Sequence, residues 1–518
     1  MNAAVRLAAV GVLWLAPWLS AQAQALWLDA QGQPNAAAHE AVRWLTQAER
    51  DGLRPADYDA ARWARSLEPG QRLPADGAAA WDAALTRAVE RYLHELRHGR
   101  VPPSQLGARY DSASLPAPEL PAQLRAAVQG GRPADALRAA TPPWPQYPAL
   151  RDALVHHQQL ADHPAWRTPV PALPGHKLQG GQRWAGLATL AARLHALGDL
   201  GAAPATEPDT FDPALQDAVK AFQERHGLSA DGVLGKATLE ALDVPPAARA
   251  RQIALALERL RLTPLPAAAR FVTVNVPEFM LRAWEHEAGA VHEAFAMRVI
   301  VGKAVSTRTP LFDEDMLRIE FNPYWNIPPS IARGETVPKL RANPGYLAAQ
   351  GMEFVGPGGQ TSSAVTPEML DAVQAGQWRV RQRPGRLNAL GDIKFVLPNS
   401  QNIYLHHTPS VSLFSRERRD FSHGCIRIEE PVALAQWVLA GDAAWTEARI
   451  RQTMGQPRPV TVALPTPVPV LIVYRTVSVR GGRVHFAPDL YRQDALLERA
   501  LAQPRHPASG AGTVRGGS

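Results

Sequence analysis

The chain has 518 residues, 46% of them hydrophobic, which is material for several cores and, at roughly 100 to 200 residues each, for about two to four domains. Its net charge of +7 is small for that length, and no basic run is interleaved with aromatics, so the charge does not argue for a nucleic-acid partner and none is expected. Its one cysteine, Cys425, excludes an intramolecular disulfide and a lipid-modified cysteine after an export signal.

At the N-terminus Arg6 precedes an uncharged apolar stretch from Leu7 to Leu19, and Ala21, Ala23 and Ala25 then offer small-x-small cleavage sites. The stretch is shorter than the roughly 20 apolar residues of a membrane span, so residues 1–25 are expected to be a cleaved export signal, with an uncleaved anchor as the alternative. No other membrane contact is expected. An exported chain with one thiol has no internal partner for it, which marks Cys425 as a functional candidate.

Residues 26–175 are rich in Ala, Leu and Arg at helical spacing, for example Trp81, Ala84, Leu85, Ala88, Tyr92 and Leu93, and predict a helical scaffold without catalytic groups. Prolines cluster at 102–103, 116–121, 142–148 and 164–174 as connectors. His156, His157 and His163 lack cysteine or carboxylate partners at ligand spacing, so no metal is assigned to them. Over 176–246, Asp212-Pro213 predicts a capped helix start, Leu215, Val219 and Phe222 share a helix face, and Gly227 stops it. These residues, with Asp231-Gly232-Val233-Leu234-Gly235, resemble the three-helix peptidoglycan-binding domain; read without the resemblance they give a small helical bundle. Residues 247–269 are expected as a helical linker.

From Arg270 the periodicity changes to β. Phe271 to Val276, Met280 to Trp284, Met297 to Val301 and Lys394 to Leu397 read as short strands of an antiparallel sandwich or barrel, and Val470 to Tyr474 and Val484 to Phe486 as strands that close it. This domain is expected to span 270–502, with a Gly/Pro-rich insertion at about 331–383 as a lid, helical around Thr366 to Ala375. The Gly-rich tail, 503–518, is expected to be disordered. The fold class is therefore α+β and multidomain.

The chemistry concentrates at Ser422-His423-Gly424-Cys425-Ile426-Arg427. A free thiol is only slightly ionised at neutral pH, so a nearby imidazole is what makes it a nucleophile, and Gly424 lets the loop amides turn toward a developing oxyanion. The competing reading is an inert packed cysteine. His406 and His407 lie upstream on a strand-like segment, where adjacent side chains face opposite ways, so only one of them can approach Cys425.

Ile403-Tyr404-Leu405-His406, Thr408-Pro409 and Phe421 to Arg427 are similar to the L,D-transpeptidases, in the large Gram-negative form with a capping insertion. Gly302-Lys303, Thr307 to Pro310, Tyr324 to Ala332 and Asn388 to Gly391 support the resemblance. It implies a periplasmic cysteine acyltransferase without cofactor or metal. Such an enzyme attacks the L,D bond of a tetrapeptide stem of peptidoglycan, forms a thioester, and passes the acyl group to an amine on a second stem, giving a meso-diaminopimelate to meso-diaminopimelate crosslink. The resemblance also implies carbapenem acylation of the thiol, a role in cell-wall organisation and cell shape, and wall synthases and carboxypeptidases as partners.

By the motif register His406 is the proton donor and acceptor, and the backbone carbonyl of His407 is placed to orient it; His407 as base is the alternative. His423 is given a supporting role, and the amides of Gly424 and Cys425 are the candidate oxyanion donors. Arg427 organises the loop or meets a stem carboxylate, against an equal case for a structural ion pair. Tyr404, Trp325 and Ser422 are candidate substrate contacts, although aromatics in β domains are usually core. L,D-carboxypeptidase action and attachment of a protein to peptidoglycan use the same acyl-enzyme. Two other classes compete: a metal peptidase using the histidines and Cys425, and a non-catalytic wall-binding protein.

Overall fold

The structure, a computed structural model, describes residues 25–111, 119–202 and 208–503. The expected export signal, apart from Ala25, and the tail beyond 503 lie outside the described residues. Among the described residues no helix is long and apolar enough to cross a membrane.

Two compact units divide the chain. The first contains the described residues up to 46, with 55–93 and 119–139, and is helical. Its core forms where aromatic residues recur on buried helix faces: Tyr58 meets Tyr92 edge-on at 5.4 Å, and Trp63 meets Trp81 at 6.0 Å.

The second unit holds 47–54, 94–111 and the described chain from 140 onward. Residues 140–175, grouped by composition with the N-terminal helices, therefore sit in this unit, where the helix Tyr147–Gln159 packs on Pro246–Leu262. That second helix is no linker. Its face from Ile253 to Leu262 is buried, and Arg261 is held inside by Glu258 at 3.0 Å and the Tyr147 hydroxyl at 2.8 Å. Composition shows an Arg-rich helix; only the fold supplies the acceptors that let its charges be buried.

Three helices, Leu187–Ala196, Pro213–Arg225 and Lys236–Asp243, enclose a core around Leu194, Val219 and Phe222. Asp212 caps the middle one, accepting from the Leu215 amide at 2.8 Å, with Pro213 at its first position.

The C-terminal domain is a closed sheet of mixed direction. Its strands are β1 (Arg270–Asn275), β2 (Met280–Glu287), β3 (Ala290–Gly302), β4 (Leu311–Phe321), β5 (Ile393–Val396), β6 (Leu405–His406), β7 (Asp420–Ser422), β8 (Ile426–Ile428) and β9 (Val460–Val473). The order is β4-β5-β6-β8-β3-β2-β1-β9, and β9 closes the ring by pairing with β4; β7 pairs with β3 off this path. The expectation of an antiparallel arrangement is corrected, because β6–β8, β9–β1 and β7–β3 are parallel. Alternation shows that a strand exists, not which way its partner runs. The excursion from β6 to β8 is long enough for the crossover that a parallel pair needs.

Val484 to Phe486 is also corrected: it pairs with Val477–Arg480 as a separate hairpin outside the ring. The insertion is a small subdomain with its own core of Val337, Leu340, Phe354 and Val380 under a four-stranded sheet. It begins before the expected boundary, since Trp325–Asn326 pairs with Arg379–Gln382 in that sheet.

Candidate active site

Strand register builds the site. Across the sheet Glu320 pairs with Lys394, Lys394 with His406, and His406 with Arg427, so these four side chains share a face; their neighbours Ile319, Phe395, Leu405 and Ile426 fill the core on the other. Continuing the parallel β6–β8 register one residue back sets Cys425 beside Tyr404, on the face that carries His406. The Tyr404 and His406 rings lie 5.7 Å apart, and Lys394 Nζ sits 4.6 Å over the Tyr404 ring and 3.2 Å from Glu320 Oε2.

His406 is buried, and its Nδ1 lies 2.5 Å from the His407 carbonyl oxygen. That acceptor holds the Nδ1–H tautomer and leaves Nε2 with a lone pair. The His407 side chain goes the other way, packing where a Cβ on Gly391 would stand and lying 3.5 Å from Asp392 Oδ2. Burial, and then the Arg427 guanidinium, push the His406 imidazole down to about 3.

Cys425 is half-buried, and its Sγ donates to the Asn402 carbonyl at 3.4 Å. Burial pushes the thiol up; hydrogen bonds from Tyr404 and the charges of Lys394 and Arg427 pull it back in part. The Tyr404 hydroxyl interacts with this thiol and with Trp325, which brings both candidate substrate contacts to the nucleophile. The resting pair is thus a thiol and a neutral imidazole, not a preformed thiolate. Its alkylation by iodoacetamide is expected to be slow at neutral pH and to keep rising above the ordinary thiol value of about 8.5. A rate that levels off below pH 7 would contradict this assignment.

The nucleophile loop is tied from several sides. Gly424 sits at φ +116°, which an L side chain rarely adopts, and a Cβ there would come within 3.2 Å of Ile403 Cδ1. Its carbonyl accepts from Thr309 Oγ1 at 2.7 Å. Its amide donates to Ser422 Oγ at 3.1 Å, while Ser422 Oγ donates to the Cys425 carbonyl at 2.5 Å. Two expectations are corrected by this. Ser422 is buried and braces the loop instead of facing a substrate, and the Gly424 amide is engaged there instead of open to an oxyanion.

His423 is exposed at the tip, with Nε2 2.6 Å from Glu335 Oε1 on the insertion, so the insertion and the nucleophile loop touch through an acid and an imidazole. Arg427 is half-buried, and its Nε has no hydrogen-bond partner among the described residues. Among the described residues no group of three or more His, Cys, Asp or Glu is arranged to hold a metal ion.

Sequence reasoning missed Lys394, Asn402, Thr309 and Glu335. The charge of Lys394 within the otherwise apolar run Ile393 to Leu397 is a signal of a polar face. Glu335 carries none, because its role depends on how the insertion folds back.

A sequence model of the L,D-transpeptidase catalytic domain matches residues 269–462, one described as a Scaffold domain matches 20–154, and one described as a Putative peptidoglycan binding domain matches 185–242. A Haemophilus influenzae protein named Putative L,D-transpeptidase is 30% identical over 246 residues, 48% of this chain and 49% of that protein. The chain thus spans about half the length of this curated relative. Among solved structures, Bdellovibrio bacteriovorus Bd1075 is 13% identical, covering 45% of this chain and 56% of its own, with a TM-score of 0.17. A Clostridium acetobutylicum fused Zn-dependent amidase/peptidase/peptidoglycan-binding domain-containing protein is 12% identical, covering 57% and 98%, with a TM-score of 0.13. At those scores neither likeness bears on the fold.

Proposed function

We propose, for a chain that carries an L,D-transpeptidase catalytic domain beside peptidoglycan-binding and scaffold domains, that it crosslinks peptidoglycan stems through a thioester on Cys425. The observation that carries this reading is the shared sheet face on which His406, its Nδ1 fixed by the His407 carbonyl, pairs with the strand that directly follows Cys425.

Acylation then runs as follows. His406 Nε2 takes the thiol proton as sulfur attacks the carbonyl of the L,D bond in a tetrapeptide stem. The tetrahedral oxyanion leans on the Cys425 amide. Collapse breaks the C–N bond, and the imidazolium returns its proton to the departing D-Ala amine, leaving the thioester. The side-chain amine of meso-diaminopimelate on a second stem next attacks the thioester. It loses a proton to His406 and releases the thiol, which completes the crosslink. The buried imidazole is neutral and so is unprotonated at the moment of attack. Arg427, with one nitrogen unpartnered, is suited to a stem carboxylate, and Tyr404 and Trp325 to the walls of the donor groove.

This reading places the mature protein in the periplasm after removal of the export signal, and makes wall synthases and tetrapeptide-generating carboxypeptidases its partners. The same acyl-enzyme resolved by water gives an L,D-carboxypeptidase. Mass spectrometry of products from purified tetrapeptide muropeptides tests the assignment: a crosslinked dimer is expected, whereas tripeptide alone means hydrolysis, and no product at all refutes both. In the same assay His406→Ala should lower turnover by about 10²-fold or more, the lower end of general-base effects, and His407→Ala by less than about tenfold. The His407 carbonyl survives that substitution, and equal losses would overturn the choice of base.

A further inference from the structure

Away from the Cys425 face, a cleft of about 890 Å³ opens between the three-helix module, the edge of the catalytic sheet and the C-terminal hairpin. Seven arginines and four carboxylates line it, an excess of three positive charges. The carboxylates are largely engaged: Glu278 pairs with Arg282 at 2.6 Å, Glu417 accepts from the Ser229 amide at 2.7 Å, and Asp489 accepts from the Tyr474 hydroxyl at 2.6 Å.

Arg249, Arg419 and Arg475 are not matched in this way. Among the described residues Arg249 donates only to the Gln252 side-chain oxygen and the Ala241 carbonyl, and it lies 4.7 Å over the Phe486 ring. Among the described residues Arg419 donates only to the carbonyls of Val299, Phe279 and Arg416. Arg475 is 2% exposed, and its Nε and Nη1 have no hydrogen-bond partner among the described residues. Arg249 and Arg419 meet only neutral oxygens and Arg475 leaves two nitrogens unpartnered, so three guanidiniums around one amphipathic cavity leave a field that an anion would neutralise. Burial, and then a neighbouring arginine in each case (Arg225, Arg298 and Arg282), pushes Arg249, Arg419 and Arg475 down to about 10, with Glu278 and Glu429 offsetting this only in part at Arg419 and Glu278 at Arg475. Phe279, Met280 and Phe486 give the cleft an apolar wall, so it suits a ligand with carbon framework as well as charge.

We propose that this cleft is a second binding site, for a peptide bearing several free carboxylates, separate from the face that carries Cys425. The identity of that peptide as a peptidoglycan stem rests on the function proposed above. The cleft has a physical route to the reaction centre: Arg416 to Arg419 line it, and the chain then runs through Asp420–Ser422 into the nucleophile loop. Glu417, holding the Ser229 amide, ties the three-helix module to the same segment.

Calorimetry on the full chain with its thiol blocked by iodoacetamide isolates this site from turnover. The probe is a disaccharide tetrapeptide with free carboxylates, compared with its amidated counterpart and with inorganic phosphate. Expected is one bound probe per chain, weakened about tenfold or more by amidation and by each of Arg249→Gln and Arg416→Gln. Arg416 is exposed, so its variant keeps the test clear of folding. No binding to the blocked chain, equal binding of the amidated probe, or indifference to both variants would overturn the proposal. Displacement by phosphate at the concentration of the probe itself would reduce the site to general anion binding and overturn it too. Carbapenem addition to the unblocked variants should proceed at the wild-type rate, and its failure in the wild type would count against the transpeptidase reading alone.

Discussion

Cys425→Ala is expected to lose all crosslinked and hydrolysed product, with the thermal midpoint shifted by no more than about 2 °C. The sulfur is the only atom in the chain positioned to form the thioester, and no second thiol exists to replace it. The loop itself does not rest on that sulfur. It is held by Thr309 on the Gly424 carbonyl, by Ser422 on the Cys425 carbonyl, and by the pairing of Ile426 to Ile428 with β3 and β6. Removing Sγ costs its weak hydrogen bond to Asn402 and its contacts with Tyr404. The same variant decides the inhibitor class. A carbapenem presents a strained carbonyl to the thiol, so intact-mass measurement should show one adduct per wild-type chain and none on Cys425→Ala, with a penicillin adding more slowly. Adducts that persist in the variant would place the nucleophile elsewhere.

What the sequence makes legible follows from how local each signal is. The cap at Asp212, the strand alternation from Phe271 and the juxtaposition of Gly424 with Cys425 are written in neighbouring residues, and the corresponding elements are present in the structure. Opposite orientation of His406 and His407 also follows from strand geometry alone. The direction of strand pairing does not, because β6 and β8 alternate in the same way whether parallel or antiparallel. Nor do the partners of the loop: the Ser422 hydroxyl that engages the Gly424 amide, and Glu335 from the insertion against His423, meet only once distant segments are folded. The thiol's resting state was equally hidden, since burial outweighs the cations Lys394 and Arg427 by an amount that depends on packing.

Acidification is expected to destabilise the second unit steeply between pH 7 and pH 5, before its carboxylates titrate. His157, His226, His406 and His485 are all buried. Burial holds His157 and His485 down to about 4 and His406 to about 3, and puts His226 well below its ordinary value. Cations reinforce this: Arg249 and Arg225 beside His157 and His226, Arg480 beside His485, and Arg427 beside His406. The unfolded chain therefore binds protons below about pH 6.5 that the folded chain refuses, so stability falls as pH falls through that window and is flat above about pH 7. At pH 5 each histidine contributes a loss of about 2 kcal/mol, and four acting independently about 8 kcal/mol, within the usual net stability of about 5 to 15 kcal/mol. Glu278, held far below the ordinary carboxylate range by Arg282, begins to matter only at lower pH. Two of these rings, His157 and His226, pack on Phe486 at 5.7 and 5.2 Å, so the junction of the three-helix module with the hairpin should loosen first. Urea unfolding at pH 7.5 and pH 5 measures the loss, and His226→Gln, which cannot titrate, should remove about a quarter of the pH dependence while leaving carbapenem addition at pH 7.5 intact. Equal unfolding midpoints at the two pH values would mean that these histidines accept protons in the folded protein and that their burial is not what sets its acid limit.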